Sequence, residues 1–218
     1  MPDPTANPDN AYHNHPVGAV PNPAMPSPDA WDAEFAAAAN QVLADAAELA
    51  RALVGAHQSA ATVIAGGDWA TARKFFSLSP KYAAWADYAA PAAGVGTHSW
   101  LLGTTVGTAG AGRGAPGAAR VVRLSEAELE AHPAWMNFGT EAGRHPPMRG
   151  WLASRIEGRD GTVWGMLQLS DKADGTDFSA EDEATFTRFT RLVTAALEAL
   201  WDVCLLRHGR PTPVARPG

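Results

Sequence analysis

A chain of 218 residues, 46% hydrophobic and 18% charged, can bury a sizeable core in one compact domain with tails and is short for two domains. Seventeen Lys and Arg against 23 Asp and Glu leave a net charge of -6, which works against a grip on nucleic acid. The single cysteine, Cys204, excludes an intrachain disulfide framework and a zinc site built on paired cysteines. No stretch approaches the ~18 uninterrupted apolar residues of a membrane span, and no basic region leads into an apolar one at the N-terminus, so a cytoplasmic protein with no membrane partner is expected.

Residues 1–28 hold eight of the seventeen prolines, which blocks both helix and inner-strand hydrogen bonding there, and they read as a disordered tail. His13 and His15 lie two apart within it, with no third ligand type nearby. Ser27 and Pro28 then supply a cap and a first helical position. Trp31, Phe35, Ala38, Val42, Ala46, Leu49 and Leu53 follow at spacings of four and three, which predicts a helix over 29–54 with those residues on its buried side. Its length, ~40 Å at 1.5 Å per residue, exceeds what a domain of this size needs to cover its core. The surplus points to a partner subunit, and hence a homodimer.

Residues 60–65 and 74–78 read as two short strands around the turn Gly66-Gly67-Asp68. Tyr82, Trp85 and Tyr88 follow at i, i+3 spacing, so their rings line one side of a turn or loop, as packing or as a lid. A third strand fits 94–102, with His98 beside Trp100, before a Gly, Ala and Thr stretch at 103–118 with the composition of a surface loop. Gly112, Gly114 and Gly117 match a dinucleotide-binding spacing, but the element that follows is a strand, 120–124, so the strand-then-helix setting is reversed. Ser125 and Glu128 form a capping box for a short helix. Residues 151–157 and 162–170 are apolar runs joined by Gly158-Arg159-Asp160-Gly161, a hairpin signal. Ser179 caps a last helix with an acidic first turn, predicted over 179–208, and Phe186, Phe189, Val193, Leu197, Leu200 and Cys204 form its buried stripe. The domain therefore runs over 29–208, and residues 209–218 form a second disordered tail.

Several segments carry a family likeness. Met148 to Ala153 enter a strand, Arg159-Asp160-Gly161 make a turn, Leu167 to Lys172 leave a strand, and Phe178 to Glu183 open the final helix. Together with 53–58, 77–85 and 130–135, these segments resemble the GAF modules of bacterial sensor histidine kinases, over about residues 45–205. The resemblance implies an α+β fold: an antiparallel sheet flanked by the long N- and C-terminal helices, with a loop-covered small-molecule pocket on the other face. It also implies a sensory or regulatory role, here as a stand-alone module signalling through a helix-mediated dimer and to a signalling protein in trans. An enzyme or a haem- or metal-binding protein using the same pocket, and a ligandless dimerisation scaffold, are the alternatives.

Tyr82, Trp85, Tyr88, His98, Trp100, Trp135 and Arg149 are the candidate ligand-binding residues. Arg149 follows a rigid His145-Pro146-Pro147-Met148 approach, and its guanidinium reads either as a contact for a ligand carboxylate or phosphate or as half of an internal pair with Glu141 or Asp171. Asp171 and Lys172 read as a structural pair. His57, His132 and His145 read as loop-fixing hydrogen bonders. His98 reads as packing or as a pocket contact, and His98 or His145 is the ligand if haem or a metal binds; no cofactor is assigned otherwise. Cys204 reads as a small buried hydrophobe. The resemblance extends to GAF-fold methionine sulfoxide reductases, but disulfide exchange needs two thiols and this chain has one. No catalytic constellation can be placed from spacing alone, because such groups are recognised by geometry.

Overall fold

The computed structural model describes residues 33–64, 72–85, 101, 121–135, 145–159 and 161–208. The two proline-bearing tails, the turn at 66–68 and the glycine-rich stretch at 103–118 lie outside them, as does the strand expected over 94–102 apart from Leu101.

Helix α1 spans Ala33–Val54 and leads through Gly55, in the left-handed region at φ 70, into strand β1, Ala56–Val63. Strand β2 is Arg73–Leu78, followed by a 3-10 helix, Pro80–Trp85. Strand β3, Val121–Leu124, precedes the short helix α2, Glu126–Ala131, whose capping box is present: Ser125 accepts from the Glu128 amide and the Glu128 carboxylate accepts from the Ser125 amide. Strands β4, Trp151–Glu157, and β5, Val163–Lys172, form the expected hairpin, and the chain ends in helix α3, Ala180–His208. Ser179 and Asp182 cap α3 reciprocally, Ser179 Oγ accepting from the Asp182 amide and the Asp182 carboxylate from the Ser179 amide.

The five strands make one antiparallel sheet in the order β2-β1-β5-β4-β3. Both long helices cover the same face. Phe35, Ala39, Leu43, Ala47 and Ala50 of α1 and Phe186, Val193, Leu197 and Trp201 of α3 pack there on Ala61, Val63, Leu152, Ile156, Leu167 and Leu169. Phe35 and Trp201 meet edge to face with ring centres 5.3 Å apart. The α3 stripe thus lies where the sequence puts it. Of the α1 stripe, Phe35 and Ala46 are buried as expected, but Leu49 and Leu53 are 55% and 53% exposed, and the buried line also runs through Ala39, Leu43, Ala47 and Ala50. The buried line is mostly alanine, which lets the helix lie close to the sheet around Phe35 and Leu43, and Leu49 and Leu53 are turned outward.

The hairpin is irregular at one point. Ile156 pairs with Gly165 and Glu157 with Val163, so Trp164 is the extra residue of a bulge and turns into the helix-side core, 1% exposed. Gly165 lies hard against β1: a β-carbon there would sit 1.9 Å from the Thr62 carbonyl oxygen. A smaller apolar cluster of Ile64, Leu101, Val122, Leu129, Trp151 and Met166 occupies the opposite face over β3 and β4.

Candidate functional site

Strand alternation delivers the other half of that face. On β1, Ala61 and Val63 face the helices, so Gln58, Ala60 and Thr62 face away from them. On β2, Phe75 packs on the helix side and Phe76 is turned from it. Antiparallel pairing sets Gln58 opposite Ser170 and Ala60 opposite Gln168. Over these strands lies a cavity of about 210 Å³, walled by β1, β2 and β5, by Trp85 of the 3-10 helix and by His145, Pro146 and Met148 of the approach to β4.

The polar groups of the wall are held in fixed orientations. Gln58, 7% exposed, donates its Nε2 to the Pro147 carbonyl, which fixes which end of the amide is nitrogen. Trp151 Nε1 donates to Gln168 Oε1 at 2.9 Å. Ser170 Oγ donates to the Gly150 carbonyl at 2.9 Å and accepts the Arg149 amide at 3.1 Å. His145 Nδ1 sits 2.6 Å from the Pro146 carbonyl, an acceptor, so Nδ1 carries the hydrogen. Burial lowers the His145 pKa and the nearby Lys74 charge adds to this, against the Pro146 bond, so the imidazole is neutral around pH 7. None of the described lining side chains then carries a formal charge.

Beside the cavity, Asp171 anchors the 3-10 helix. It is 3% exposed, adopts φ 57, and its Oδ2 accepts from Lys81 Nζ at 2.6 Å and from the Tyr82 hydroxyl. Burial pushes its carboxyl up, but the bonds from Lys81 and Tyr82 and the charges of Lys81 and His57 outweigh that and hold it below the usual range. Burial, and then the bond and charge of Asp171, push the Tyr82 hydroxyl up to about 12. The Tyr82 ring packs edge-on to Trp85 at 5.4 Å and to His57 at 6.0 Å. Lys172, the next residue, reaches the opposite way to Asp182 at 2.7 Å, in the first turn of α3.

Of the residues singled out by sequence, Trp85 and His145 line the cavity. Tyr82 is buried behind Trp85 and is spent on Asp171. Trp135 packs on the cluster around Trp151 and Leu129. Tyr88, His98 and Trp100 lie outside the described residues, as does Glu141. Arg149 is exposed: its main chain is fixed by Ser170 and Asp171, and its guanidinium forms no ion pair among the described residues. The expected Arg149–Asp171 pair is therefore absent, and Asp171 Oδ2 takes Lys81 and Tyr82 instead. Asp171 and Lys172 likewise do not pair with each other, since successive side chains of a strand point to opposite faces. His57 Nδ1 bonds Ser79 Oγ at 2.8 Å, and His132 Nδ1 accepts the Ala134 amide at 3.2 Å. Gln58, Phe76, Gln168 and Ser170 were missed. The signal for Gln168 and Ser170 was polar residues at i, i+2 in an otherwise apolar strand, and Gln58 and Phe76 carry no such pattern.

Cys204 is half-buried on α3 and packs against the helix-side core, across the sheet from the cavity. The cavity is below the ~300–1,000 Å³ of pockets for drug-sized ligands. Among the described residues no three His, Cys, Asp or Glu side chains converge as a metal site would need.

The sheet order, the paired helices on one face and the cavity on the other define a GAF-like fold. No family model matches the chain. Among solved structures, a far-red cyanobacteriochrome photoreceptor matches with a TM-score of 0.50 at 10% identity, over 74% of this chain and 87% of its own. The GAF domain of cyanobacteriochrome TePixJ matches with a TM-score of 0.51 at 12% identity, over 83% and 99%. Among the described residues no helix is long and apolar enough to cross a membrane.

Proposed function

We propose that this chain is a sensory or regulatory module that holds a small molecule over β2-β1-β5 and homodimerises through its long helices, passing occupancy of the cavity to the dimer. The cavity of about 210 Å³ carries the first part, because a ligandless scaffold would fill that space with side chains. The second part rests on α3, where Leu192, Ala196, Ala199, Val203 and Leu206 are all exposed at spacings of four and three, with Leu192 at 69% and Leu206 at 85%. That is the seam of a two-helix contact on a helix whose other side is already buried. Strand β5 supplies the link: Ser170 lines the cavity, Asp171 holds the 3-10 helix bearing Trp85, and Lys172 holds the start of α3. A ligand that favours one position of Trp85 would bias α3 through those three residues.

Sedimentation velocity and native mass spectrometry of the full chain test this reading. A dimer at micromolar concentration, whose stability shifts when a small molecule is bound, is the expected result. A monomer under those conditions removes the helix-to-helix signalling, whatever the cavity holds.

A further inference from the structure

The exposed side of α3 carries a direction in its charges. Arg188, Leu192, Ala195, Ala199, Asp202 and Leu206 recur at spacings of four and three, on the side away from Phe186, Val193, Leu197 and Trp201, which face the sheet. Arg188 and Arg191 are exposed and form no hydrogen bond or ion pair among the described residues. Glu198 and Asp202, a few turns on, meet Arg159 of the hairpin, yet the Asp202 side chain stays 45% exposed. Glu181 is exposed in the first turn, and Arg207, exposed near the last, also reaches Glu34 at the start of α1. The order along the helix is thus acid, two bases, an apolar span from Leu192 to Ala199, two acids, base.

A second copy can lay its α3 on this one in either direction. In a parallel pair Arg188 lies level with the partner's Arg188 and Asp202 with the partner's Asp202, and like charges beside a helix contact cost affinity. In an antiparallel pair with the two 29-residue helices fully overlapped, the ends exchange. Arg188 then comes beside the partner's Asp202, Arg191 beside the partner's Glu198 and Glu181 beside the partner's Arg207. The apolar span stays at the centre in both arrangements, so the charges set the direction.

We propose that α3 packs antiparallel on α3 of a second copy, about a two-fold axis near Ala195. This rests on the α3-mediated dimer put forward above and adds the direction in which its helices run.

Spin labels on the full chain measure that direction. With Cys204→Ser removing the native thiol, Ala184→Cys, Ala195→Cys and Leu206→Cys are labelled one at a time, and label-to-label distances are read by electron paramagnetic resonance. At 1.5 Å per residue, labels at 206 are expected about 36 Å apart along the axis and labels at 184 about 30 Å apart, while those at 195 lie within about 20 Å. Arg188→Ala gives an independent sign, with no label in the interface. It should raise the dimer dissociation constant about threefold or more, because two copies of an attractive pair are lost, whereas in a parallel dimer it would relieve a repulsion and lower that constant.

Short distances at all three positions, or a lower constant for Arg188→Ala, overturn the inference while the dimer stands. A dimer with a long distance at 195 uses another face, which overturns the inference and the α3 seam together. A monomer overturns the inference and the dimer, and leaves the exposed line of α3 to a different protein.

Discussion

At Gly165 the sheet comes closer to itself than any side chain allows. A β-carbon would meet the Thr62 carbonyl oxygen at 1.9 Å, and that atom is backbone of the neighbouring strand, so neither partner can turn aside. Gly165→Ala should therefore destabilise the fold by about 3 kcal/mol, read as a lower urea midpoint with an unchanged slope. A loss below about 0.5 kcal/mol would mean that β1 and β5 shift apart easily there. Tyr82 gives a second residue-scale test. Its hydroxyl is pushed up to about 12 by burial and by Asp171, so the folded state favours the protonated phenol. The sign follows: this contribution is complete below the unfolded tyrosine value near 10 and is lost as pH rises through about 12. One of the three tyrosines should ionise late in an ultraviolet titration, and Tyr82→Phe should remove that late step. A normal titration of all three would break the Tyr82–Asp171 bond as an account of this corner. That bond was not legible in the sequence, because Asp171 reads as the natural partner of its neighbour Lys172 until strand alternation turns them to opposite sides.

Elements were easier to read than their faces. The final helix announced itself through the Ser179 cap, its acidic first turn and large residues at helical spacing, and Phe186, Val193 and Leu197 are buried as that pattern requires. In α1 alanines occur on every side, so the apolar period has no sharp phase, and the line through Leu49 and Leu53 leaves the buried face after Ala46. The cavity was the least legible part. Its Gln58 and Ser170 are opposed only by the β1–β5 pairing, which brings together the second element of the chain and the second-last. Cysteine, histidine and aromatic residues attract a search by type, whereas glutamines inside buried strands do so only once the pairing is known. The contact of α1 with α3 is itself testable through Trp201, 3% exposed and edge-on to Phe35. Trp201→Ala should cost about 3–5 kcal/mol in chemical denaturation, from lost burial and the space left behind. A smaller loss would mean that the two helices close over the gap.

The cavity and the exposed apolar line of α3 lie on opposite sides of one five-stranded sheet, and that arrangement separates the two proposed roles experimentally. Leu192 and Val203, 69% and 44% exposed, lie on α3 away from the core, so charges introduced there should leave the protomer intact. In a dimer the same positions would be desolvated, and a carboxylate without a partner is strongly disfavoured in such a place. The double substitution Leu192→Glu and Val203→Glu should therefore raise the dimer dissociation constant about a hundredfold or more while shifting the protomer's own urea midpoint little. Sedimentation equilibrium across a concentration series reads the first quantity and dilute denaturation the second. If the dimer survives the two charges, its interface lies elsewhere and the seam on α3 has another use. If it dissociates and a small molecule bound in the cavity still moves the Gln58 and Ser170 amides, ligand binding and assembly are separable. Coupling between them would then have to travel through β5, where Ser170, Asp171 and Lys172 join the cavity to the first turn of α3.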